Sequence, residues 1–482
     1  MKGLLIEGKE IETENKVKIR SPSNPDYIID EVNFADKELT KKAIDIALVG
    51  FYKLSNISLK ERAKIIKKAS TIMEERKENL SKLLSLESGK PLKDSRVEML
   101  RAIQLFNIAA EEARLVLEGK YHRVDAYEYP PGNESRVVIE TREPIGVVAA
   151  ILPFNFPANS FAHKVAPNIM AGNSVIVKPS PYTPLTALEL GKILYESGLP
   201  YESLSVLPGD IDVGDELVTN KKVSGITFTG STNTGINIAS KAVQSAKKLM
   251  IEMGGSDPII VLDDANLDAA INVSVRARYE YAGQNCNAGK RILVHEKIYE
   301  KFVNQFVDRA KKLVVGDPLD DSSDLGPLIS KEALERMDYY VNDAINNGGK
   351  IDLGGNKLNL KGYFYSPTVI SEANTNMKLS KEEVFGPIAP IFKFSDDNEA
   401  LETANSSPFG LQASIFTNDL KRGLRLAKGL KAGGVMINDS PRLRWDALPF
   451  GGVKLSGIGA REGVRSTIEG MTEIKLISIN IS

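Results

Sequence analysis

The chain has 482 residues, 42% of them hydrophobic and 26% charged, which is typical of a soluble globular protein with more than one domain. Its 62 lysines and arginines nearly balance its 63 aspartates and glutamates, so the net charge of −1 offers no general field for nucleic acid or an acidic membrane. One cysteine and three histidines exclude an intrachain disulfide and a thiolate cluster, and we expect no metal site.

The first forty residues predict strands and turns. The apolar run at their start is too short for a signal peptide, and the longest apolar stretch, residues 145–152, is the size of a strand rather than a membrane span. We therefore expect a cytoplasmic protein. Abundant lysine, glutamate and isoleucine with scarce cysteine also suggest a heat-adapted, thermostable protein.

Residues 37–119 predict helices, because apolar residues recur three and four apart, for example over 59–69 and 97–117. The charges between them would form a solvated face. Residues 121–140 alternate too much for a helix and carry Pro130 and Pro131, so they predict a protruding hairpin.

Strands and helices then alternate twice, which predicts an α/β fold. Short apolar strands are predicted at 147–152, 174–177, 204–207 and 225–229, with helical stretches after the first, second and fourth, and this alternation is typical of a doubly wound parallel sheet. A second alternating region contains strands near 259–262, 291–294 and 414–416. The tail, residues 471–482, predicts another strand.

The single cysteine, Cys286, is the first candidate for chemistry. A thiolate is the strongest nucleophile that a protein offers near neutral pH, whereas many free cysteines are inert core residues. The flanking segments, Gly283–Asn285 and Asn287–Gly289, are poor core material and are better suited to a turn or pocket. These neighbours favour a nucleophile.

Other segments are ambiguous when each is taken alone. Glu252 lies between apolar residues before paired glycines, where burial would raise its pKa towards that of a general base, although an ion-paired carboxylate is the commoner case. Lys178 ends a strand, where ligands of open α/β sheets bind, yet it could be a surface lysine. Gly230–Gly235 follows a strand with the outer glycine spacing of a dinucleotide loop, a weak signal by itself.

Together, the motifs resemble the NAD(P)-dependent aldehyde dehydrogenase superfamily over nearly the whole chain. The matching segments occur in the family's order: Pro153–Pro157, Lys178–Ser180, Phe228–Ser231, Glu252–Gly255, Gly283–Cys286, Glu383–Pro387 and Pro449–Gly452. A further segment, Asn438–Asp446, is similar to that in the members that oxidise lactaldehyde, glyceraldehyde or succinate semialdehyde.

The resemblance implies the role of each catalytic residue. Cys286 would attack the aldehyde to form a thiohemiacetal, and the Asn155 amide with the Cys286 N–H would form the oxyanion hole. After hydride transfer leaves a thioester, Glu252 would activate the water that hydrolyses it. Lys164 matches a family lysine that supports the proton path.

The resemblance also implies cofactor contacts. Lys178 and Glu383 would bind ribose hydroxyls, Gly230 and Ser231 the pyrophosphate, and Phe385 would brace the nicotinamide, with Phe154 on the same side. In NAD-preferring members a glutamate commonly stands where this chain has Pro181. Because no carboxylate then repels a 2′-phosphate, and Lys178 with Ser180 could pair with it, we predict NADP as the preferred cofactor, with NAD accepted.

Substrate recognition is less defined. Non-phosphorylating glyceraldehyde-3-phosphate enzymes usually have an arginine where this chain has Asn285, which weakens the case for a phosphorylated substrate. Arg101, Arg442 and Arg444 remain possible anion partners, or they are structural, and Phe156 would border the substrate. We expect a short polar aldehyde, glyceraldehyde or lactaldehyde first, and succinate semialdehyde or glyceraldehyde 3-phosphate second. A coenzyme A-acylating enzyme and a non-catalytic protein on this fold are further alternatives.

The family likeness also implies three parts. Residues 1–120 and 141–253 would form the dinucleotide-binding domain, residues 254–465 the catalytic domain, and residues 121–140 with 466–482 an oligomerisation element. A strand exposed in that element would need a partner subunit, so we expect a homodimer or homotetramer.

Overall fold

A computed structural model describes residues 2–482 of the chain. Fifteen α-helices lie within these residues: α1 Lys37–Ser55, α2 Leu59–Glu75, α3 Lys77–Ser88, α4 Leu92–Leu117, α5 Pro157–Ala171, α6 Pro184–Glu196, α7 Ile211–Thr219, α8 Thr232–Ala242, α9 Leu267–Tyr279, α10 Tyr299–Ala310, α11 Lys331–Asn346, α12 Lys378–Lys381, α13 Asp397–Asn405, α14 Leu420–Gly429 and α15 Val464–Gly470. None of the helices in residues 2–482 is both long and apolar enough to span a membrane.

The strands in the same residues number twenty-two: β1 Leu4–Ile6, β2 Lys9–Ile11, β3 Lys16–Ser21, β4 Asn24–Asn33, β5 Lys120–His122, β6 Arg136–Pro144, β7 Val147–Ile151, β8 Ser174–Lys178, β9 Leu204–Val206, β10 Val223–Thr229, β11 Lys248–Glu252, β12 Asp257–Val261, β13 Gly289–His295, β14 Lys350–Leu353, β15 Thr368–Ala373, β16 Ile388–Phe394, β17 Phe409–Gly410, β18 Gln412–Phe416, β19 Gly434–Ile437, β20 Val453–Lys454, β21 Gly457–Gly459 and β22 Thr472–Asn480.

The first large sheet has eight strands in the order β2-β1-β9-β8-β7-β10-β11-β21. The five central strands, β9 to β11 in this order, run parallel, and antiparallel strands complete both edges. All side chains of β7 and β8 are buried, as expected for strands with helices on both faces. This arrangement confirms the predicted α/β class with a doubly wound parallel sheet.

The second large sheet has seven strands in the order β14-β15-β16-β13-β12-β18-β19, all parallel except the edge strand β14. Its apolar strands pack with α9, α10 and α11 into a core of their own, which includes Ile260, Leu293 and Phe306. The segment of residues 253–256 leads directly from β11 of the first sheet into β12 of the second.

A third, small sheet has the order β22-β6-β5. β5 and β6 pair antiparallel from Lys120↔Glu140 to His122↔Val138, close to where the sequence predicts a hairpin. The tail strand β22 pairs with β6 along its whole length, from Thr472↔Pro144 to Asn480↔Arg136. Apart from Thr472, every residue of β22 is exposed.

Candidate active site

The carboxyl ends of four parallel strands meet at one edge of the first sheet. The register pairs Ile151 of β7 with Lys178 of β8 and with Phe228 of β10, and it pairs Thr229 of β10 with Glu252 of β11. Residues that directly follow these strands therefore converge, which is where open α/β sheets bind ligands.

The second sheet contributes its amino edge to the same place. Cys286 lies three residues before β13, while Glu383 and Phe385 precede the neighbouring strand β16. Because β13 and β16 are adjacent and parallel, the loops that lead into them lie side by side. The direct connection from β11 to β12 holds the two edges together.

A cavity of about 850 Å³ lies at this junction. All but two of the side chains predicted to form the site line it: Cys286, Glu252, Asn155, Phe154, Phe156, Lys178, Ser180, Pro181, Gly230, Ser231, Glu383, Phe385, Arg101, Arg442 and Arg444. The two exceptions are Lys164 and Asn285. Residues as far apart as Arg101 and Arg444 in the sequence are thus gathered around one space.

Cys286 is partly exposed at the cavity wall, and an unusual turn leads into it. Tyr281, Ala282 and Gly283 have φ values of 53°, 51° and 71°, so three consecutive residues adopt the left-handed conformation. That conformation is strained for the first two, which have side chains. The buried Gln284 side chain anchors the turn, because it donates to Pro327 O (3.2 Å) and accepts from Ile329 N (2.9 Å).

The thiol and the carboxyl of Glu252 interact across this wall. Burial and the charge of Glu252 raise the pKa of the Cys286 thiol well above its usual range, and the nearby ammonium of Lys290 acts in the opposite direction. Burial and the charge of Glu462 raise the pKa of Glu252 to about 8. The Oε1 atom of Glu252 is buried and has no hydrogen-bond partner within residues 2–482. This carboxyl can therefore exchange a proton near neutral pH.

Asn155 lies beside the nucleophile, just before α5. Its Nδ2 donates one hydrogen bond to Gln284 O at 2.9 Å, which fixes the amide against the cysteine loop. An amide nitrogen carries two hydrogens, so one N–H remains for a ligand. The start of α5 is itself anchored, since Glu98 Oε1 accepts from Ala158 N (3.0 Å) and Asn159 N (3.1 Å).

Lys164 lies behind the cavity rather than in its wall. Its ammonium is fully buried, pairs with Glu462 and donates to Thr229 Oγ1 at 2.7 Å. Burial opposes ionisation of Glu462, but Lys164, Arg444 and His163 hold the pKa of Glu462 well below its usual range. Glu462 lines the cavity and acts on Glu252, so the Lys164–Glu462 pair connects the candidate base to the protein interior.

Sequence reasoning missed Glu462. It lies 298 residues from Lys164, in a glycine-rich stretch with no sign of a partner. The antiparallel pairing of β21 with β11, Gly457↔Glu252, and the bridge between Phe450 and Glu462 bring this stretch to the site.

The cofactor side of the cavity contains an unpaired cation. Lys178 is 8% exposed, and its ammonium makes neither a hydrogen bond nor an ion pair with any residue in 2–482. Burial lowers the pKa of Lys178 to about 8, partly offset by Asp210. Ser180 and Pro181 lie next to it in the wall. A buried cation without a partner fits an anionic or hydroxyl-bearing ligand.

Two further features fit a dinucleotide. Ser231 caps α8 by accepting from Thr234 N, so the loop at Gly230 and Ser231 presents a helix N-terminus to the cavity, where phosphates bind. Phe154 and Phe385 meet edge to face, with ring centroids 5.8 Å apart. The residues present therefore suit both the phosphates and a flat ring.

The three predicted arginines line the opposite part of the cavity, and each has a carboxylate partner. Arg101 binds Asp446 through two hydrogen bonds of 2.7 and 3.2 Å, Arg442 pairs with Glu280, and Arg444 donates to Glu462 at 2.9 Å. Arg442 Nη1 and Arg444 Nε nevertheless lack hydrogen-bond partners in residues 2–482. Within the same residues, no group of three or more His, Cys, Asp or Glu side chains is placed to hold a metal ion.

The substrate assignment of Asn285 does not fit the structure. Its side chain is fully buried, donates to Glu280 O at 2.9 Å and does not line the cavity. The left-handed turn that exposes Cys286 directs its neighbour inwards, so Asn285 supports the loop instead of facing a substrate.

Comparison with known proteins agrees with this geometry. Residues 10–477 match the model of the "Aldehyde dehydrogenase family". The chain belongs to the aldehyde dehydrogenase family.

Similar aldehyde dehydrogenases cover nearly the whole chain. A lactaldehyde dehydrogenase of Methanocaldococcus jannaschii is 41% identical over 99% of this chain and 100% of its own length. A 3-sulfolactaldehyde dehydrogenase of Priestia megaterium is 38% identical over 99% of this chain and 98% of its own. The solved structure of a glyceraldehyde-3-phosphate dehydrogenase, GapN, from M. jannaschii, complexed with NADP, superposes with a TM-score of 0.91 at 39% identity, covering 98% of this chain and 100% of that one.

These comparisons confirm the predicted family, fold class and NAD(P)-dependent aldehyde dehydrogenase activity. The roles of individual residues in this aldehyde dehydrogenase stay predictions.

Proposed function

We propose that this aldehyde dehydrogenase oxidises a short polar aldehyde to its acid, with NADP as the preferred acceptor, through a thioester on Cys286. The observation that carries the proposal is the cavity in which a partly exposed thiol, a Glu252 carboxyl with one unpartnered oxygen and an unpaired Lys178 ammonium lie together.

The first step follows from the neighbours of the thiol. Cys286 Sγ attacks the aldehyde carbon while the thiol proton passes to Glu252, whose pKa near 8 suits transfer at neutral pH. The free N–H of the Asn155 amide and the backbone N–H of Cys286 donate to the developing oxyanion. The product of this step is a thiohemiacetal.

Bound NADP would supply the hydride acceptor for oxidation of the thiohemiacetal to a thioester. Glu252 must first lose the proton that it took from the thiol; as a carboxylate it then takes a proton from the water that attacks the thioester carbon, and it returns this proton to the departing Cys286 thiolate as the acid is released. The buried Lys164–Glu462 pair next to Glu252 supports a route by which the thiol proton of the first step leaves the cavity.

The cofactor residues favour NADP. Lys178 is unpaired, Ser180 offers a hydroxyl, and Pro181 supplies no carboxylate to repel a 2′-phosphate. We expect kcat/KM with NADP to exceed that with NAD by about tenfold or more, the effect of one good phosphate contact. Pro181→Glu should reverse the preference, whereas Pro181→Gln, which adds size without charge, should not. A wild-type enzyme that clearly prefers NAD would contradict this assignment.

The substrate end of the cavity favours polar aldehydes. Arg442 and Arg444 both line it, so a hydroxyl or anionic group of the substrate would meet guanidinium donors there. Because each guanidinium already has a carboxylate partner, their charge is largely neutralised. This balance favours a neutral hydroxyaldehyde over a doubly charged phosphate.

A panel of aldehydes tests this proposal. Glyceraldehyde and lactaldehyde should give kcat/KM at least about tenfold above propionaldehyde, their analogue without hydroxyls, because a polar site left unpaired discriminates strongly. Succinate semialdehyde and glyceraldehyde 3-phosphate test the anionic alternatives, and added coenzyme A should leave the acid product unchanged. Highest activity with a long apolar aldehyde would contradict the proposal.

We also propose that the enzyme forms a homo-oligomer through the sheet of β5, β6 and β22. Exposed apolar side chains on an edge strand support association with a second subunit, and Ile474, Leu476 and Ile479 of β22 are 54%, 63% and 45% exposed. The three-part division at residues 120, 140, 253 and 465, and a cytoplasmic location, remain predictions.

A further inference from the structure

Lys290, four residues after the nucleophile, is a buried cation behind the wall of the cavity. Its side chain is fully inaccessible to solvent, and its ammonium donates to Gly255 O (2.7 Å), Cys286 O (2.8 Å) and Glu383 Oε1 (2.6 Å). An ammonium has three hydrogens, so these contacts use all of its donors. The side chain is therefore held in one position.

The three acceptors belong to three different parts of the site. Gly255 is in the segment that follows Glu252, Cys286 carries the thiol, and Glu383 is in the loop before β16. Gly255 N also donates to Glu383 Oε1 at 3.1 Å. Lys290 thus links the base segment, the nucleophile loop and the predicted ribose ligand through one charged group.

Within residues 2–482, only one of the two carboxylate oxygens of Glu383 accepts hydrogen bonds. Both hydrogen bonds from Lys290 and Gly255 go to Oε1, and no residue in 2–482 donates to Oε2. The side chain is 19% exposed and lines the cavity. One carboxylate oxygen is therefore fixed by the protein while the other is available to a ligand.

We propose that Lys290 is a positioning residue that couples binding of the cofactor at Glu383 to the reactivity of the Cys286 thiol. The inference rests on the proposed roles of Cys286 as nucleophile and Glu383 as ribose ligand. A hydroxyl that donates to Glu383 Oε2 withdraws negative charge from the carboxylate. The positive charge of Lys290 is then less neutralised, and its effect on the neighbouring thiol becomes stronger.

The charges that face the thiol make this coupling possible. Burial is the largest cause of the raised thiol pKa. The carboxyls of Glu252, Glu383 and Asp257 raise this pKa further, and Lys290 is the cation that lowers it. These groups come from β11, the loop before β16, β12 and β13. When a ligand weakens the negative charge of Glu383, the thiolate is therefore favoured in two ways. Glu383 repels it less, and Lys290 attracts it more.

The single cysteine allows a direct test. Iodoacetamide labels the native enzyme at Cys286 alone, so the pH at which labelling reaches half its maximal rate reports this thiol. In wild-type protein, saturating NADP should lower that midpoint by about one pH unit, a tenfold gain in thiolate. Steric shielding by the cofactor would change the labelling rate at every pH but would not move the midpoint.

Lys290→Met should raise the midpoint of the free enzyme and abolish most of the NADP-induced shift, with a higher KM for NADP. Lys247→Met is the matched control, because Lys247 is also a buried lysine that donates to backbone carbonyls, but its acceptors, Asn220 and Val223, do not line the cavity. It should behave as wild type. Lys290→Met that retains the full shift would overturn the inference.

If Lys290→Met does not fold, Glu383→Gln provides the second test, since it keeps Lys290 and removes the charge through which the cofactor acts. It should also lose the shift, and an unchanged shift would overturn the inference. If NADP does not change the labelling midpoint of the wild-type enzyme, the coupling is refuted, but the proposed catalytic function stands. A Cys286→Ala variant that still oxidises aldehydes would instead refute the proposed function.

Discussion

At the scale of single residues, the site depends on groups whose charge is set by burial. Glu252 is 4% exposed with a pKa raised to about 8, and the pKa of the Cys286 thiol is also raised. Glu252 is therefore only partly ionised at neutral pH in the free protein, and its carboxylate form is the one that can accept the thiol proton. A buried carboxyl of this kind suits a general base better than an exposed one.

Replacement of Glu252 should separate the two halves of the reaction. In Glu252→Gln we expect steady-state kcat to fall by about 10²–10⁴-fold, the usual contribution of a general base, because the thioester is hydrolysed slowly. A stopped-flow trace should still show a burst of NADPH, although a slower one. Glu216→Gln, at a buried glutamate outside the cavity, is the control. A full loss of the burst would mean that Glu252 is indispensable for thiol attack.

The pH dependence of hydrolysis follows from the same carboxyl. The carboxylate is the active form and its pKa is raised, so the hydrolysis rate should increase with pH and level off above about pH 8. Single-turnover decay of a preformed acyl-enzyme measures this rate without the attack step. The increase should be absent in Glu252→Gln, and a rate that falls between pH 6 and 8 would exclude this assignment.

At the scale of elements, the site is built from loops that buried contacts hold in place. The left-handed turn before Cys286 packs against the loop before β16, and Arg278 of α9 donates to carbonyls of that loop at Val384 and Gly386. The start of α5 is held by Glu98, itself paired with the buried Lys90. Backbone groups that would be unsatisfied thus have charged partners.

Gly283 should tolerate no side chain. Its φ is +71°, and a Cβ there would overlap the Gly386 carbonyl, so Gly283→Ala combines backbone strain with a clash against rigid backbone. We expect the free energy of unfolding to fall by about 2–4 kcal/mol, with a large loss of activity. Gly198→Ala is the control, because its φ is +96° but nothing lies within 4 Å of the place that a Cβ would occupy. Equal losses from both variants in denaturant unfolding would exclude the clash.

Loss of the buried Glu98 carboxylate should destabilise the protein more than loss of an exposed ion pair would. Glu98→Ala removes the acceptor of two helix N–H groups and leaves the Lys90 ammonium buried without its carboxylate. We expect a loss of about 3–5 kcal/mol in unfolding free energy. Glu87 caps α6 in a similar way, through Leu185 N and Thr186 N, but has no ion-pair partner among residues 2–482. Glu87→Ala should therefore cost less, and the reverse order would contradict this explanation.

At the scale of the whole molecule, two sheets with separate cores share one cavity, and a small third sheet extends an exposed edge. Leu476→Lys together with Ile479→Lys places charges on that edge and should convert the proposed homo-oligomer to monomers, measured by light scattering after gel filtration. Val243→Lys, at a side chain that is 66% exposed near the end of α8, is the control and should leave the mass unchanged. A wild-type monomer would contradict the proposed interface.

The sequence determined a large part of this description by itself. Apolar runs such as 147–152 and 174–177 are short and rich in branched residues, so local burial decides that they are strands, and the motifs around Cys286 and Glu252 identify the family. The pattern does not predict helix α7, although it lies between two predicted strands, because only nine residues form it.

Which charged side chains form pairs was decided by the tertiary structure alone. Lys164 pairs with Glu462 and Arg101 with Asp446 across about three hundred or more residues, and Lys290 joins Gly255 to Glu383. Local pattern cannot encode such pairs, because a lysine or glutamate has the same neighbours whether its partner is water or a distant side chain. The same holds for Asn285, which the sequence places beside the nucleophile and the left-handed turn directs into the interior.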